Sequence, residues 1–254
     1  MNKNKISVYI ICMNEEKHIK RALEAVKEFD EIIIVDSGST DNTLEIAKQY
    51  TNKIYYKKWE GEGIQKAYAL SLCSNEWVLN LDADEEIDEE LKEEIKKLAD
   101  ENYCDGLDIK FLEYYMGKKS SDLVKKNTHI RFFKKSKAEY KNLGVHSQVS
   151  VNGKINVSKG VIHHFSDKYI HELVMKNNNY STLVSIQKDK KNKKASFLKL
   201  LFIFPLAFIK SFLLRRNIFN GKRGFIISFI NAYYAFLKEA KLYELNSKKE
   251  DRIK

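Results

Sequence analysis

Two aspartates separated by one residue, Asp82 and Asp84, follow an apolar run at residues 77–81 that only Asn80 interrupts. Such a run is typical of a buried strand in a parallel sheet, and ligands of open α/β sheets bind beyond the carboxyl ends of these strands. Residues two apart share one face of a strand end, so both carboxylates can reach one ion. Hard oxygen ligands select Mg²⁺ or Mn²⁺, which can neutralise a diphosphate. The alternative is a solvated turn or the acidic start of a helix, because more acids follow, namely Glu85, Glu86, Asp88, Glu89 and Glu90.

The segment around this motif alternates strands and helices. Apolar runs predict strands at residues 6–12, 31–36, 53–57 and 77–81, with helices beginning at residue 14, at 42–49 and at 61–72. This order predicts parallel strands with right-handed crossovers. Polar clusters at 14–16, 36–41 and 82–84 then lie at strand carboxyl ends along one edge of the sheet. That shared edge favours a ligand site over three unrelated turns.

The middle of the chain predicts further strands at 105–118, 128–133 and 148–157, with Asn152-Gly153 as a hairpin turn inside the last. The fold class is therefore α/β, with a Rossmann-like, mostly parallel sheet flanked by helices and continued by a mixed region. Three widely spaced cysteines, Cys12, Cys73 and Cys104, predict reduced thiols, with no disulfide framework and no zinc signature.

Several segments resemble a known family. Residues 7–16, 34–43 and 81–85 resemble the family-2 glycosyltransferases of GT-A fold. Other segments are similar to the subgroup that adds glucose to the heptose region of lipopolysaccharide or lipooligosaccharide inner core, namely 59–66, 114–117, 129–133, 145–146, 164–166 and 179–182. The resemblance covers about residues 5–245. It implies inverting transfer of a hexose, glucose in that subgroup, from a UDP-sugar donor to a lipid-linked glycan, with Mn²⁺ or Mg²⁺ as cofactor.

The same resemblance implies roles for individual residues on the donor side. Asp36 would contact the uracil or ribose, and Asn14 and Glu15 would border the nucleotide. Ser39 is either a donor contact or a helix cap. Lys66 would lie near the diphosphate.

Three residues are candidates for holding the metal ion. Asp82 would face the ribose and the ion, and Asp84 would hold the ion directly. His164 is a third ligand or a diphosphate contact, with a core histidine as the alternative.

Candidates on the acceptor side are less defined. The subgroup has a His-Glu pair where this chain has His146-Ser147, so the general base stays open between His146 and Glu139. Arg131 is expected to bind an acceptor phosphate through its fork of donors.

The positive charge is concentrated near the end of the chain. Residues 173–238 contain ten Lys and three Arg against one acid, Asp189, whereas the whole chain has a net charge of +10. Two apolar runs, 200–209 and 225–237, lie in this segment and are flanked by basic residues. Each is shorter than the ~20 residues that span a bilayer, so amphipathic helices in an anionic membrane interface are predicted. The alternative is helices that pack on the catalytic domain with solvated lysines.

We therefore expect a catalytic domain at 1–166, with a nucleotide-sugar half at 1–100 and an acceptor half at 101–166, followed by a basic, membrane-associating extension at 167–254. The expected location is cytoplasmic, peripheral on the inner face of the membrane. A nucleic-acid partner is not expected, because the lysines flank apolar runs too long to leave in water. Two competing hypotheses stay open at this point. One is a catalytically silent membrane scaffold, and the second is a family-2 transferase that acts on polyprenyl phosphate or a capsular or cell-surface polysaccharide precursor.

Overall fold

The computed structural model describes residues 4–141, 148–166 and 169–251. The chain forms two compact units. The first comprises Met1–Tyr114 and Lys126–Ser166, and the second comprises Tyr115–Lys125 and Asp167–Lys254.

The first unit is built on one large sheet. Its strands follow the order β3-β2-β1-β4-β8-β6-β11-β5, and a separate two-stranded sheet pairs β9 with β10. The helices that belong to it are α1 (Ile19–Val26), α2 (Thr43–Ala47), α3 (Glu62–Leu72) and α4 (Glu89–Glu101). The strands are β1 (Ile6–Cys12), β2 (Glu31–Asp36), β3 (Ile54–Tyr56), β4 (Trp77–Asp82), β5 (Glu85–Ile87), β6 (Gly106–Tyr115), β8 (Thr128–Lys134), β9 (Ala138–Lys141), β10 (Gln148–Val151) and β11 (Ile155–Ser166), with the two-residue β7 (Lys118–Lys119) in the second unit.

The parallel half of the sheet positions the polar strand ends together. β1 pairs in parallel with both β2 and β4, and β2 pairs in parallel with β3. Cys12 is in register with Asp36, and Ile11 with Asp82, so these strands end at one edge. The predicted α/β fold is thus confirmed, and β8, β6, β11 and β5 add the mixed, antiparallel part.

The core lies on both faces of the sheet because β1, β2 and β4 are buried almost throughout. One face packs Val8, Ile10 and Leu79 with the apolar sides of α1 and α4. The other packs Tyr9 and Val78 with α3 and with the two-stranded sheet. Because side chains alternate along a strand, Asn80 and Asp82 of β4 project to this second face.

The acidic run after Asp84 does not begin a helix at the motif itself. Glu85–Ile87 forms β5, which pairs antiparallel with β11. The N-cap of α4 is Asp88, whose Oδ1 accepts from the backbone N of Leu91 at 2.8 Å. Asp82 and Asp84 therefore stand at a strand end, and the interpretation of the motif as a helix start is wrong.

The predicted hairpin at Asn152-Gly153 is also wrong. β10 pairs with β9, whereas β11 joins the large sheet, so the turn connects two sheets. The backbone N of Asn152 donates to Lys137 O, and that of Lys154 donates to Asp105 Oδ2. A Cβ on Gly153 would meet Asp105 Oδ2 at 2.3 Å. Glycine is thus present for close approach to Asp105.

The second unit is helical, with α5 (Ile170–Lys190), α6 (Phe197–Ile209) and α7 (Gly221–Asp251). A π-helical turn at Lys210–Leu214 continues α6, and a 3₁₀ turn at Asn217–Asn220 leads into α7. The apolar helix is therefore longer than the expected run of ten residues. Among the described residues, Phe197–Leu214 is a segment whose length and composition would allow it to cross a membrane, and it is largely exposed.

Candidate active site

A buried set of charges surrounds Asp82 at the end of β4. Nζ of Lys66, which α3 contributes, lies 2.9 Å from Asp82 Oδ1 and 2.7 Å from Glu62 Oε1. Nη2 of Arg131, from β8, donates to Asp82 Oδ2 at 2.8 Å. Burial alone would raise the pKa of Asp82, but Arg131 and Lys66 outweigh it and hold this pKa well below its usual range. Asp82 is therefore an anion between two cations.

The side chain of Arg131 is largely buried next to Asp82. It is 11% exposed, and Nη2 also donates to Glu85 Oε1 at 2.8 Å. Nη1 donates to Asn80 Oδ1 at 2.6 Å. Burial, with the charge of Asp82, raises the pKa of Glu85, against the effect of Arg131. The sequence predicts that Arg131 binds acceptor phosphate, but its guanidinium instead positions Asp82 and compensates buried Glu85.

Asp84 and His164 meet beside this cluster. Phe165 N donates to Asp84 O at 3.0 Å, which ties the end of β11 to the motif. His164 Nε2 lies 3.3 Å from Asp84 Oδ2, and Nδ1 lies 2.7 Å from Glu113 Oε2 on β6. Burial lowers the pKa of His164, but hydrogen bonds to Asp84 and Glu113 outweigh this and raise it to about 11. Asp84 and His164, predicted from distant parts of the sequence, are thus brought together.

Asp84 offers a carboxylate to a divalent cation that keeps open positions, and His164 could join it only by losing the Nε2 proton, because the raised pKa keeps the imidazole charged at neutral pH. Histidines that ligate metals usually give their other ring N–H to a carboxylate, and Glu113 accepts in this way from His164 Nδ1. Within 4–141, 148–166 and 169–251, no three His, Cys, Asp or Glu side chains could hold a metal ion by themselves. Mg²⁺ or Mn²⁺ bound by one or two protein groups, with phosphate and water completing the shell, needs no third. Asp82, already paired with two cations, is a poorer candidate ligand than Asp84.

The loops after β1 and β2 lie at the same edge of the large sheet and are hydrogen-bonded to each other. Asp36 is buried and accepts from the backbone N of Gly38 at 2.8 Å and from Ser39 Oγ at 2.5 Å. Ser39 Oγ also accepts from the backbone N of Asn14 at 2.9 Å, and Asn14 Oδ1 accepts from Thr40 N at 2.8 Å. Ser39 therefore joins the two loops and is not the cap of α2, whose N-cap is Asn42, while its contact with the donor stays a prediction.

Glu15 lies in the same arrangement. Its backbone N donates to Thr43 Oγ1 at 2.8 Å, and Thr43 Oγ1 in turn donates to Asp41 Oδ1 at 2.5 Å. The predicted residues Asn14, Glu15, Asp36 and Ser39 are thus placed together along the edge that Asp82 shares.

A cavity of about 460 Å³ lies on the second face of the sheet, next to the Asp82 cluster. Lys66, Arg131 and Tyr140 are among the residues that line it. Tyr140 on β9 reaches the core, and its hydroxyl bonds that of Tyr9. Glu139, its neighbour, is exposed and projects from the opposite side of the two-stranded sheet, away from the cavity. The prediction of Glu139 as general base is therefore not supported by its position, and His146 lies outside the described residues.

Two contributors were missed by sequence reasoning. Glu113 contacts His164 across 51 residues of sequence, and Glu85 contacts Arg131 across 46. Glu113 directly precedes the family-like segment 114–117 and Glu85 ends the segment 81–85, but neither segment assigns these two acids a partner. Only strand pairing identifies their partners.

Comparison with known proteins gives three findings. The model of the family described as "Glycosyl transferase family 2" matches residues 7–154. An uncharacterised glycosyltransferase of Rickettsia typhi is 39% identical over 98% of this chain and 90% of its own. The lipopolysaccharide core biosynthesis glycosyltransferase LpsC of Rhizobium meliloti is 33% identical over 96% of this chain and 94% of its own.

Among solved structures, S. aureus TarS 1–349 in complex with UDP-GlcNAc aligns with a TM-score of 0.51. The alignment covers 97% of this chain and 92% of that one at 18% identity, so it concerns the fold alone.

Proposed function

We propose that this chain, which belongs to glycosyl transferase family 2, transfers a hexose from a UDP-sugar to a lipid-linked glycan. The donor we propose is UDP-glucose, and the acceptor is the heptose region of lipopolysaccharide or lipooligosaccharide inner core. The observation that carries the proposal is the meeting of Asp84, His164 and Glu113 beside Asp82, at the edge formed by the parallel strands. The similarity to LpsC, over nearly the whole chain, supports a core-glycan acceptor.

In the proposed reaction an acceptor hydroxyl attacks the anomeric carbon, the bond from that carbon to the diphosphate oxygen breaks, and UDP leaves with inversion. Asp84 and His164 would hold Mn²⁺ or Mg²⁺, which supplies positive charge for the diphosphate. Glu113 orients the imidazole of His164 by accepting from Nδ1. A general base must take the proton of the hydroxyl, and His146 is the candidate that we retain for it.

The remaining residues of the site hold geometry and charge. Arg131 and Lys66 both donate to Asp82 Oδ2 and keep the carboxylate ionised, so that Asp82 can accept from a hydroxyl of the donor sugar. The cavity beside them is where we propose that the acceptor sugar enters. Holding the acceptor hydroxyl in this cavity would raise the rate of attack by orienting it toward the anomeric carbon.

We also propose a peripheral location on the inner face of the cytoplasmic membrane, without a nucleic-acid partner. The basic, largely exposed apolar segment of the second unit supports contact with a membrane. The same segment would suit polyprenyl phosphate or a capsular or cell-surface polysaccharide precursor, which makes these the second candidate acceptors.

The test is UDP release from a panel of UDP-hexoses, with Mn²⁺ or EDTA, and with or without heptose-terminated lipooligosaccharide core. We expect UDP-glucose turnover that needs the metal and that the core stimulates. Turnover of another hexose, or stimulation by polyprenyl phosphate alone, would replace the proposed substrates. The absence of binding of every UDP-sugar would overturn the proposal.

Asp84→Asn tests the metal role directly. We expect it to abolish Mn²⁺-dependent binding of UDP in titration calorimetry while the melting temperature stays close to that of the wild type. The matched control is Glu86→Gln, which neutralises a half-exposed carboxylate two residues away and should bind UDP normally. Equal UDP affinity in Asp84→Asn would remove the metal from this site.

A further inference from the structure

Loop 115–125 is hydrogen-bonded to the region between α6 and α7 in the second unit, although the two segments are distant in sequence. Asn220 Oδ1 accepts from the backbone N of Ser121 at 2.7 Å. Arg223 Nη1 donates to Lys118 O at 2.9 Å and to Tyr115 O at 3.2 Å. Lys125 N donates to Arg215 O at 3.1 Å. Both ends and the middle of loop 115–125 are therefore held against this region.

Buried polar side chains beneath this region make the attachment specific. Asn217 Nδ2 donates to Ser211 O at 3.0 Å, and Asn220 Nδ2 donates to Ser120 Oγ at 2.9 Å. Ser120, Ser211, Asn217 and Asn220 are all buried. A buried polar group is costly unless it is hydrogen-bonded, so this network specifies one arrangement of the loop and this region.

The assembled surface is strongly basic, and we call it the basic rim. Seven side chains form it, all of them exposed: Lys118, Lys119, Lys125, Lys210, Arg215, Arg216 and Lys222. Within 115–125 and 197–225, all of it described, the sequence has one acid, Asp122, which lies 3.4 Å from Lys119. The rim therefore carries a large excess of positive charge with almost no internal compensation.

Exposed apolar side chains stand among these charges. Leu214 is 70% exposed and Leu123 is 56% exposed. Leu213, Ile218 and Phe219 are also exposed. Large aliphatic groups among basic residues match the boundary between lipid headgroups and acyl chains, where the charges meet phosphates and the apolar groups insert. Nucleic acid would satisfy the charges but not Leu213, Leu214 and Ile218, because bases stack on aromatic rings.

We infer that the basic rim, with loop 115–125 as part of it, is a docking surface for an anionic lipid bilayer. Lys118, Lys119 and Lys125 of this loop strengthen the membrane contact, which would be weaker if the helices alone made it. The inference deepens the proposed membrane location, but its evidence is independent of the proposed donor and acceptor.

The test is sedimentation of the full chain with phosphatidylcholine vesicles, with and without phosphatidylglycerol. Replacing Lys118, Lys119 and Lys125 by Gln should weaken binding to the anionic vesicles by about 100-fold, since each basic residue near such a surface contributes about one kcal/mol. The matched control replaces Lys190, Lys191 and Lys193 by Gln; these lysines are also exposed but lie in another basic tract, and this variant should lose far less affinity. A second variant, Leu213→Ser with Leu214→Ser, should weaken the binding that persists at high salt.

If the loop variant and its control lost the same affinity for anionic vesicles, the inference would be overturned, because binding would then depend on overall charge and not on the basic rim. The same holds if the wild type binds neutral and anionic vesicles equally, or if the loop variant loses affinity for DNA while vesicle binding is unchanged. UDP release, measured with soluble acceptor on each variant, separates the two proposals. Rim-dependent vesicle binding without any UDP-sugar turnover would refute the transferase and leave the docking surface standing.

Discussion

Replacing Arg131 with Met should destabilise the protein, because the substitution leaves buried Glu85 without its cation and Asp82 with Lys66 alone. Arg131 donates to Asp82 and Glu85 at 2.8 Å each, and the Glu85 side chain is 2% exposed. Methionine keeps much of the length of the side chain but provides no donor. Glu85 would then have to remain desolvated and without a cation or take up a proton, whereas Asp82 would keep only Lys66 as its cation.

The size of the effect follows from this burial. Removing one partner of a buried ion pair costs ~3–5 kcal/mol, and in a chain of this length each kcal/mol lowers the melting temperature by ~2–4 °C. We therefore expect the midpoint of thermal unfolding, followed by circular dichroism, to fall by roughly 10 °C.

The pH dependence gives a second readout. Burial already raises the pKa of Glu85, and removal of Arg131 raises it further. A group whose pKa is higher in the folded state stabilises at low pH and loses that contribution as pH rises. The loss of stability of Arg131→Met relative to the wild type should consequently be smaller in mildly acidic buffer than in alkaline buffer.

The control for these measurements is Lys96→Met, which removes a half-exposed cation from α4 and should leave the midpoint nearly unchanged. The reasoning would be refuted if Arg131→Met melted like the wild type and only raised the KM for acceptor. That result would return Arg131 to the acceptor-binding role expected from the sequence.

Two further predictions concern other charged groups of the first unit. Burial raises the pKa of Glu31, but hydrogen bonds from Lys53, Ser7 and Ser74 outweigh it and hold this pKa at about 2, against an ordinary 4.5. The stability that the Glu31 carboxylate supplies is therefore complete above about pH 4.5 and is lost as the pH falls toward 2. In urea unfolding, Glu31→Gln should lower the free energy of unfolding by about 3 kcal/mol at neutral pH and by much less in strong acid. Glu113→Gln should weaken Mn²⁺ binding, titrated with UDP present, by about 10- to 100-fold, since Glu113 orients His164; an unchanged affinity would mean that His164 does not hold the ion.

The parallel half of the fold could be predicted because its signals are local. The runs at β1, β2 and β4 are apolar on both faces, which is what strands buried on both faces of a sheet require, and each is followed at once by polar residues. The predicted order of the strands is enough to place those polar residues at one edge of the sheet, and no side-chain contact has to be known for this. The positions of Asp36, Asp82 and Asp84 follow from that edge alone.

The contacts that organise the site are not local, and the sequence could not supply them. Arg131 reaches Asp82 across 49 residues, so its partner depends on β8 pairing with β4. An Asn-Gly pair predicts a tight turn but says nothing about which strands that turn joins, and here the strands on either side of it belong to different sheets. The length of α6 could not be predicted for a similar reason, since Lys199 and Lys210 interrupt the apolar run in sequence but not in the helix.

The hydrogen bonds between the loops after β1 and β2 bear on how the proposed UDP-sugar donor would bind at this edge of the sheet. These loops are already ordered, because Ser39 joins Asn14 to Asp36 and Thr43 joins Glu15 to Asp41. The entropy of ordering them is lost during folding and not at the moment of binding. Association at this edge should accordingly proceed with little slow rearrangement, and the amides of Gly38 and Thr43 should exchange slowly with deuterium even in the empty protein.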